Sequence, residues 1–140
     1  IIRQLENNLV LVYIGEHYSG FSNKVMINNL KKGKNTKNLI KIRDIAKEMK
    51  TALLKNNLDK FAELMNQETE NRRKLHKSII PSSTQKIINL GKKHGAISAK
   101  ILGAGGGGSI LFFGNKAKLK RKFGKKVIDF KFDFSGLRFF

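Results

Sequence analysis

A chain of 140 residues, 40% of them hydrophobic, holds enough apolar material for one domain with one modest core. The absence of cysteine excludes disulfides, thiolate nucleophiles and Cys-based metal sites, and it fits a reducing compartment. A formal net charge of +19 points to anionic partners, but 23 Lys stand against 6 Arg, whereas readers of nucleic acid lean on the bidentate fork of Arg. Nucleic acid is therefore not the expected main partner, and an anionic small molecule would use the same field. No apolar run approaches the ~20 residues of a membrane-spanning helix, so no membrane association is expected. The chain begins with Ile1 rather than Met and carries no signal-peptide pattern, so it reads as a cut or processed fragment.

In chain order, Leu9 to Ile14 reads as a β-branched-rich buried strand. A polar loop follows from Gly15 to Gly20, then a helix over Phe21 to Leu30, broken by Lys31 to Asn35. Leu39, Ile42, Ala46, Met49 and Leu53 recur at helical spacing and predict an amphipathic helix from Lys37 to Lys55. A second helix is predicted from Leu58 to Lys77, with Phe61, Leu64, Met65 and Leu75 in the core. Its middle, Asn66 to Asn71, has no apolar residue and should face solvent or line a cleft. Pro81-Ser82-Ser83 opens a third helix with a Ser available as N-cap, Ile87, Ile88 and Leu90 on its inner face, and Gly95 just past its end.

Ala96 to Leu102 and Ser109 to Phe113 read as strands flanking a glycine loop, followed by a short basic helix from Asn115 to Phe123. Ile128, Phe130, Phe132 and Phe134 alternate with polar residues and predict a half-buried strand; with Phe112 and Phe113, these phenylalanines are expected in the core. Gly136 marks a turn, and Leu137 to Phe140 would continue the sheet. The order predicts a single α+β domain over 1–140, with helices on one face of an antiparallel sheet.

Gly103-Ala104-Gly105-Gly106-Gly107-Gly108 is the most informative segment. A bland turn needs one or two glycines, and each extra one raises the entropy cost of ordering the loop. Backbone N–H groups in such a loop can cradle an anion. The run formally matches G-x-G-x-x-G, but strand rather than helix follows it, which argues against a dinucleotide fold. The Lys-Ser/Thr pair of a Walker loop is absent. A loop packed beside a phosphate-binding element elsewhere, or a merely flexible hairpin, remains.

The run Lys100 to Gly108, preceded by Gly91 to Ala96, resembles the third conserved motif of the galactokinase, homoserine kinase, mevalonate kinase and phosphomevalonate kinase (GHMP) superfamily. Met49 to Leu54, Leu58 to Phe61, Arg72 to Leu75 and the tail Phe130 to Arg138 resemble its heptose 7-phosphate kinase branch. The resemblance implies a ferredoxin-like C-terminal domain, whose partner is an N-terminal kinase domain with the nucleotide phosphate loop and the catalytic Asp. ATP and Mg2+ would be held mainly by that partner. The whole enzyme would phosphorylate a sugar or sugar phosphate, here a heptose phosphate, for surface-polysaccharide precursors in the cytoplasm.

Neither the N-terminal motif nor a catalytic Asp is found in this sequence, so the chain is expected to be inactive alone. Its own contribution would be the loop Gly103, Ala104, Gly105, Gly106, Gly107, Gly108 and Ser109 near the phosphates. Lys100, Arg72, Arg73 and Ser19 would contact substrate. Asn66 and Glu68 could bond sugar hydroxyls. Glu16 to Ser19 occupies a place where the heptose branch carries a basic residue, and no Arg stands there. His17, His76 and His94 lack the carboxylate company of a metal site.

The basic run Lys116 to Lys126 reads as a solvated face, since no aromatic is interleaved for base stacking. Two alternatives stand beside the kinase: a basic α+β module that binds RNA without catalysis, and the defunct remnant of a split kinase gene.

Overall fold

The computed structural model describes residues 1–16 and 19–137. Helix α1 (Ile2–Asn8) leads into strand β1 (Leu9–Gly15), and four helices follow: α2 (Ser19–Lys31), α3 (Thr36–Leu54), α4 (Leu58–Arg73) and α5 (Ser82–Lys93). Strands β2 (Ala96–Ile101) and β3 (Gly108–Gly114) flank the glycine loop, and α6 (Lys116–Phe123) and the short β4 (Val127–Ile128) complete the order. The strands form one antiparallel sheet, β2-β3-β1-β4. Because β3 sits between β1 and β2, this is the split β-α-β-β-α-β arrangement of ferredoxin-like folds, and the α+β class is as expected.

Period-two alternation sorts the strand side chains into two cores. Val10, Val12, Ile110, Phe112, Ala99 and Ile101 face one way, toward Ile88 of α5 and Leu119 and Phe123 of α6. Phe112 and Phe123 stack there with ring centroids 5.4 Å apart. Leu9 and Phe113 face the other way, toward Phe61 and Met65 of α4 and Ile45 and Ala52 of α3. The α3–α4 pair thus adds a layer on the second face, beyond the one-sided arrangement expected.

The inner stripe of α3 runs through Ile42, Ile45, Met49 and Ala52, while Ala46 is exposed. Phe61, Leu64, Met65 and Leu75 are all buried, as their spacing predicts, but α4 stops at Arg73 so that Leu75 can turn under into the first core.

Two local expectations are corrected and one helix is added. The N-cap of α5 is Pro81 with no side-chain bond, and Ser82 and Ser83 lie inside the first turn; the fixed φ of proline suits the helix entry. Helix α1 precedes β1, where the sequence offered no apolar stripe to announce it. The last strand ends at Ile128 rather than reaching Phe134. Beyond it Phe130 packs against the second core and the Phe132 amide donates to the Glu6 carboxylate at 3.0 Å, so the backbone leaves the ladder. Phe132 and Phe134 are exposed, Phe134 to 75%, rather than core.

Candidate functional site

The glycine loop joins the neighbouring ends of β2 and β3, and its conformation is fixed by more than the hairpin. Leu102 N–H donates to the Ser109 carbonyl at 3.1 Å, closing the ladder, and Gly106 N–H donates to the Ile79 carbonyl at 2.8 Å. Gly105 has φ +84, and a Cβ there would lie 2.6 Å from both the Cγ2 and the carbonyl oxygen of Ile79. Glycine is thus required twice, by a backbone region costly to other residues and by contact with a buried main chain. Gly103, with φ +69, has open space around the same position. The flexible-hairpin reading does not describe this loop, which is fastened to the α4–α5 connection.

A second fastening comes from α4. Arg72 Nη1 donates to the Gly103 carbonyl at 2.6 Å, while its Nε and Nη2 reach Glu68 Oε1, each at 2.9 Å. Lys100, on β2, places Nζ 2.5 Å from the same carboxylate oxygen. The i,i+4 spacing of Glu68 and Arg72 sets them on one helix face. The alternation of β2 turns Lys100 toward that face, and Thr69 Oγ1 ties the same turn of α4 to the Ala99 carbonyl at 2.7 Å.

Glu68, 3% exposed, and Thr69 are buried, so their side of α4 lies against the sheet, while Gln67 and Glu70 stay exposed and face a groove with the half-buried Asn66 and Asn71. Glu68 Oε2 is buried without a protein partner among the described residues, a desolvation cost borne to hold two cations. Burial first, opposed by the Glu68 bond, holds the Lys100 ammonium below its ordinary value. Two cations on one carboxylate leave one excess positive charge behind the loop.

Arg72 and Gly103 border a groove of about 550 Å³, with Met26, Leu39, Ile42 and Leu75 as apolar walls and Asn23 as a further polar group. The structure therefore brings Arg72 and Lys100 together at the base of the glycine loop. Arg73 is elsewhere, paired with Glu70 at 3.1 Å on the outer face of α4. Ser109 lies in β3 opposite Tyr13. Ser19 is the first residue of α2, its side chain outside the described part, and His17 lies outside the described residues. Asn66 donates to the Ile97 carbonyl at 3.1 Å.

Asn66 belongs to a different groove of about 520 Å³ between α3 and α4, lined by Asp44, Glu48, Glu63 and Glu70. Those carboxylates disfavour a phosphate. Among the described residues no group of three or more His, Asp or Glu could hold a metal ion, and no helix is long and apolar enough to cross a membrane.

Sequence reasoning missed Ile79, whose carbonyl and Cγ2 shape the loop, because an isoleucine carries no signal of a main-chain role. It also missed the organising part of Glu68, which the Glu68–Arg72 spacing alone could have suggested.

The family profile described as GHMP kinases C terminal matches residues 49–129. Among solved structures, the chain resembles an L. major mevalonate kinase in complex with R-mevalonate, with a TM-score of 0.66 at 21% identity, over 84% of this chain and 36% of that one. A Campylobacter jejuni protein assigned as a sugar kinase superposes with a TM-score of 0.56 at 23% identity, over 94% and 35%. A further mevalonate kinase gives 0.55 at 25% identity, over 86% and 36%. The chain thus spans little more than a third of these kinases. A search of curated proteins finds no match.

Proposed function

The chain belongs to the GHMP kinases C terminal family, and from that premise we propose that it is the C-terminal part of an ATP-dependent kinase acting on a sugar or sugar phosphate, with a heptose phosphate as the acceptor. The observation that carries this reading is the Arg72 bond to Gly103, which sets a glycine loop over a cation pair at the edge of a groove. The likeness to a C. jejuni protein assigned as a sugar kinase supports the acceptor class. The reaction would serve surface-polysaccharide precursors in the cytoplasm.

Phosphoryl transfer needs positioning and charge stabilisation more than covalent help from the protein. In this reading the loop amides approach the phosphates, a task that glycines allow because no Cβ stands between backbone and ligand. Glu68 fixes Arg72, and Arg72 spends Nε and both Nη atoms on protein acceptors. It therefore acts on the loop's position, and its charge reaches the phosphates through space. Lys100 adds a second positive charge from behind. Nucleotide binding itself is assigned to the N-terminal kinase domain. Mg2+ is assigned with the nucleotide to that domain, since among the described residues no group of three or more His, Asp or Glu could hold a metal ion.

An acceptor panel tests this on the chain joined to its N-terminal kinase domain, with ATP and a set of heptose phosphates, free sugars and R-mevalonate. The proposal expects kcat/KM for a heptose phosphate to exceed the others by about a hundredfold, the discrimination a bound phosphate can supply. Preference for R-mevalonate would contradict the sugar assignment while leaving the kinase intact.

A further inference from the structure

Helix α6 divides its cations between two faces. Lys116 Nζ donates to the Glu6 carbonyl at 2.5 Å, and Lys120 pairs with Asp129 at 2.7 Å. Lys118, Arg121 and Lys122 lie on another face and take no carboxylate partner among the described residues. Opposite them stand Lys93 and His94, where α5 ends, and these five residues line a pocket of about 370 Å³. Four of the five side chains in its lining are cations, and no carboxylate shares it.

The pocket is held in shape by the core beneath it. Leu119 and Phe123, on the inner side of α6, are buried in the first core, and Phe123 stacks on Phe112. The two helix ends are locked by Asn115 N–H donating to the Gly95 carbonyl at 2.9 Å, and the Asn115 side chain caps α6 at Lys118 N–H. Gly95 has φ +97, and a Cβ there would come within 3.1 Å of Asn115 Cβ and 3.5 Å of Lys118 Cδ. Glycine thus suits the positive φ and lets Asn115, which caps α6, close against the end of α5. His94 Nδ1 lies 2.8 Å from the Leu90 carbonyl and must be its donor, which leaves Nε2 unused by that bond.

Like charges three and four residues apart on a helix repel, as Lys118 does with Arg121 and Lys122. The dipoles of α5 and α6 favour cations at their C-terminal ends but do not cancel the repulsion between them. A bound anion does. The pocket lies at the start of β2 and the glycine loop at its far end. Six residues at ~3.3 Å each separate them by ~20 Å, so a single small ligand cannot serve both.

We propose that the seam between α5 and α6 is a second anion site that takes a compact anion with several phosphates, such as a pyrophosphate or triphosphate group. The volume holds a few phosphates and not a strand of nucleic acid, and no aromatic lines it for base stacking.

The probe is inorganic tripolyphosphate, titrated calorimetrically into the 140-residue chain, with amide NMR shifts followed in parallel. The site predicts 1:1 saturable binding, with the largest shifts at residues 93–95 and 116–122. A Lys118→Gln/Arg121→Gln/Lys122→Gln variant should bind about tenfold more weakly or worse. A control of equal charge loss on exposed α3 and its end, Lys47→Gln/Lys50→Gln/Lys55→Gln, should stay within about twofold. Equal weakening in both variants would reduce the effect to net charge and overturn the proposal. So would non-saturable binding, or an absence of shifts in wild-type residues 93–95 and 116–122, a readout that does not depend on the variants folding. Tighter binding of a short RNA of equal charge, lost in the pocket variant, would overturn it in favour of a nucleic-acid surface.

Discussion

Arg72 and Gly103 are joined by a 2.6 Å hydrogen bond from guanidinium to main-chain carbonyl, spanning 31 residues of sequence. It makes the start of the glycine loop an extension of α4, because Arg72 is itself held by the buried carboxylate of Glu68. The loop is set by side chains from a helix and by the Ile79 carbonyl from a connection, in addition to its own strands.

Removing the carboxylate should strand two cations. Lys100 and Arg72 keep only 24% and 23% side-chain exposure, so Glu68→Ala leaves them largely desolvated without a counter-charge. The expected loss is about 3 kcal/mol, the low end for breaking a buried pair. Urea unfolding would show it as a lower midpoint with an unchanged slope. A loss below about 0.5 kcal/mol would mean that the cluster holds nothing.

Arg72→Lys separates fork from charge. Lysine keeps a cation but cannot bridge Glu68 and the Gly103 carbonyl together. In the joined enzyme kcat should fall about tenfold or more with little change in acceptor KM, as for a group acting through loop position. A rise in KM alone would place Arg72 directly on the acceptor instead.

Gly103 and Gly105, two of the loop glycines at positive φ, should respond differently. Gly103→Ala meets open space and should cost about 1 kcal/mol for the left-handed backbone alone. Gly105→Ala adds a collision with the Ile79 main chain and should cost clearly more. Gly106 has φ +82 and donates to Ile79, so Gly106→Val should also cut turnover of the joined enzyme severely. Similar melting shifts for Gly103→Ala and Gly105→Ala would contradict the fastened loop.

Gly91→Ala inverts a general rule. Alanine in place of a helical glycine usually stabilises by about 1 kcal/mol. Here the new Cβ would sit 2.3 Å from the buried Phe112 ring, which is already stacked on Phe123. Overpacking of this kind costs about 1–3 kcal/mol, so thermal unfolding should move down rather than up.

The Lys100 ammonium loses its proton more readily when folded than unfolded, because burial outweighs Glu68. A cation lowered in this way costs stability at every pH below its folded value. The cost fades as pH rises from that value to the ordinary 10.5. The stability of the wild type relative to Lys100→Met should therefore climb with pH across that window. A flat or falling difference would contradict the assignment.

Much of this arrangement could be read from the residues. The helical period of α3 and the buried Phe61, Leu64 and Met65 of α4 follow from spacing, although the most buried α3 positions are Ile45 and Ala52 and Ala46 is exposed, and the glycine run marked the end of β2 as unusual. The polar run Asn66 to Asn71 was ambiguous because hydrophobic periodicity is silent on buried polar residues; only the partners Lys100 and Ala99, some thirty residues on, reveal why Glu68 and Thr69 are inside. Helix α1 has only Leu5 buried and gave no stripe to find. The alternation Ile128 to Phe134 looked like a strand, yet a ladder needs a neighbour, and Glu6 takes the Phe132 amide instead.

The most direct test of the central claim is phosphoryl transfer from ATP to a heptose phosphate, measured on the 140-residue chain alone and joined to the N-terminal kinase domain that the proposal assigns to it. The account predicts turnover only in the joined protein. Turnover by the chain alone, or none in a folded joined protein across the acceptor panel, would contradict it.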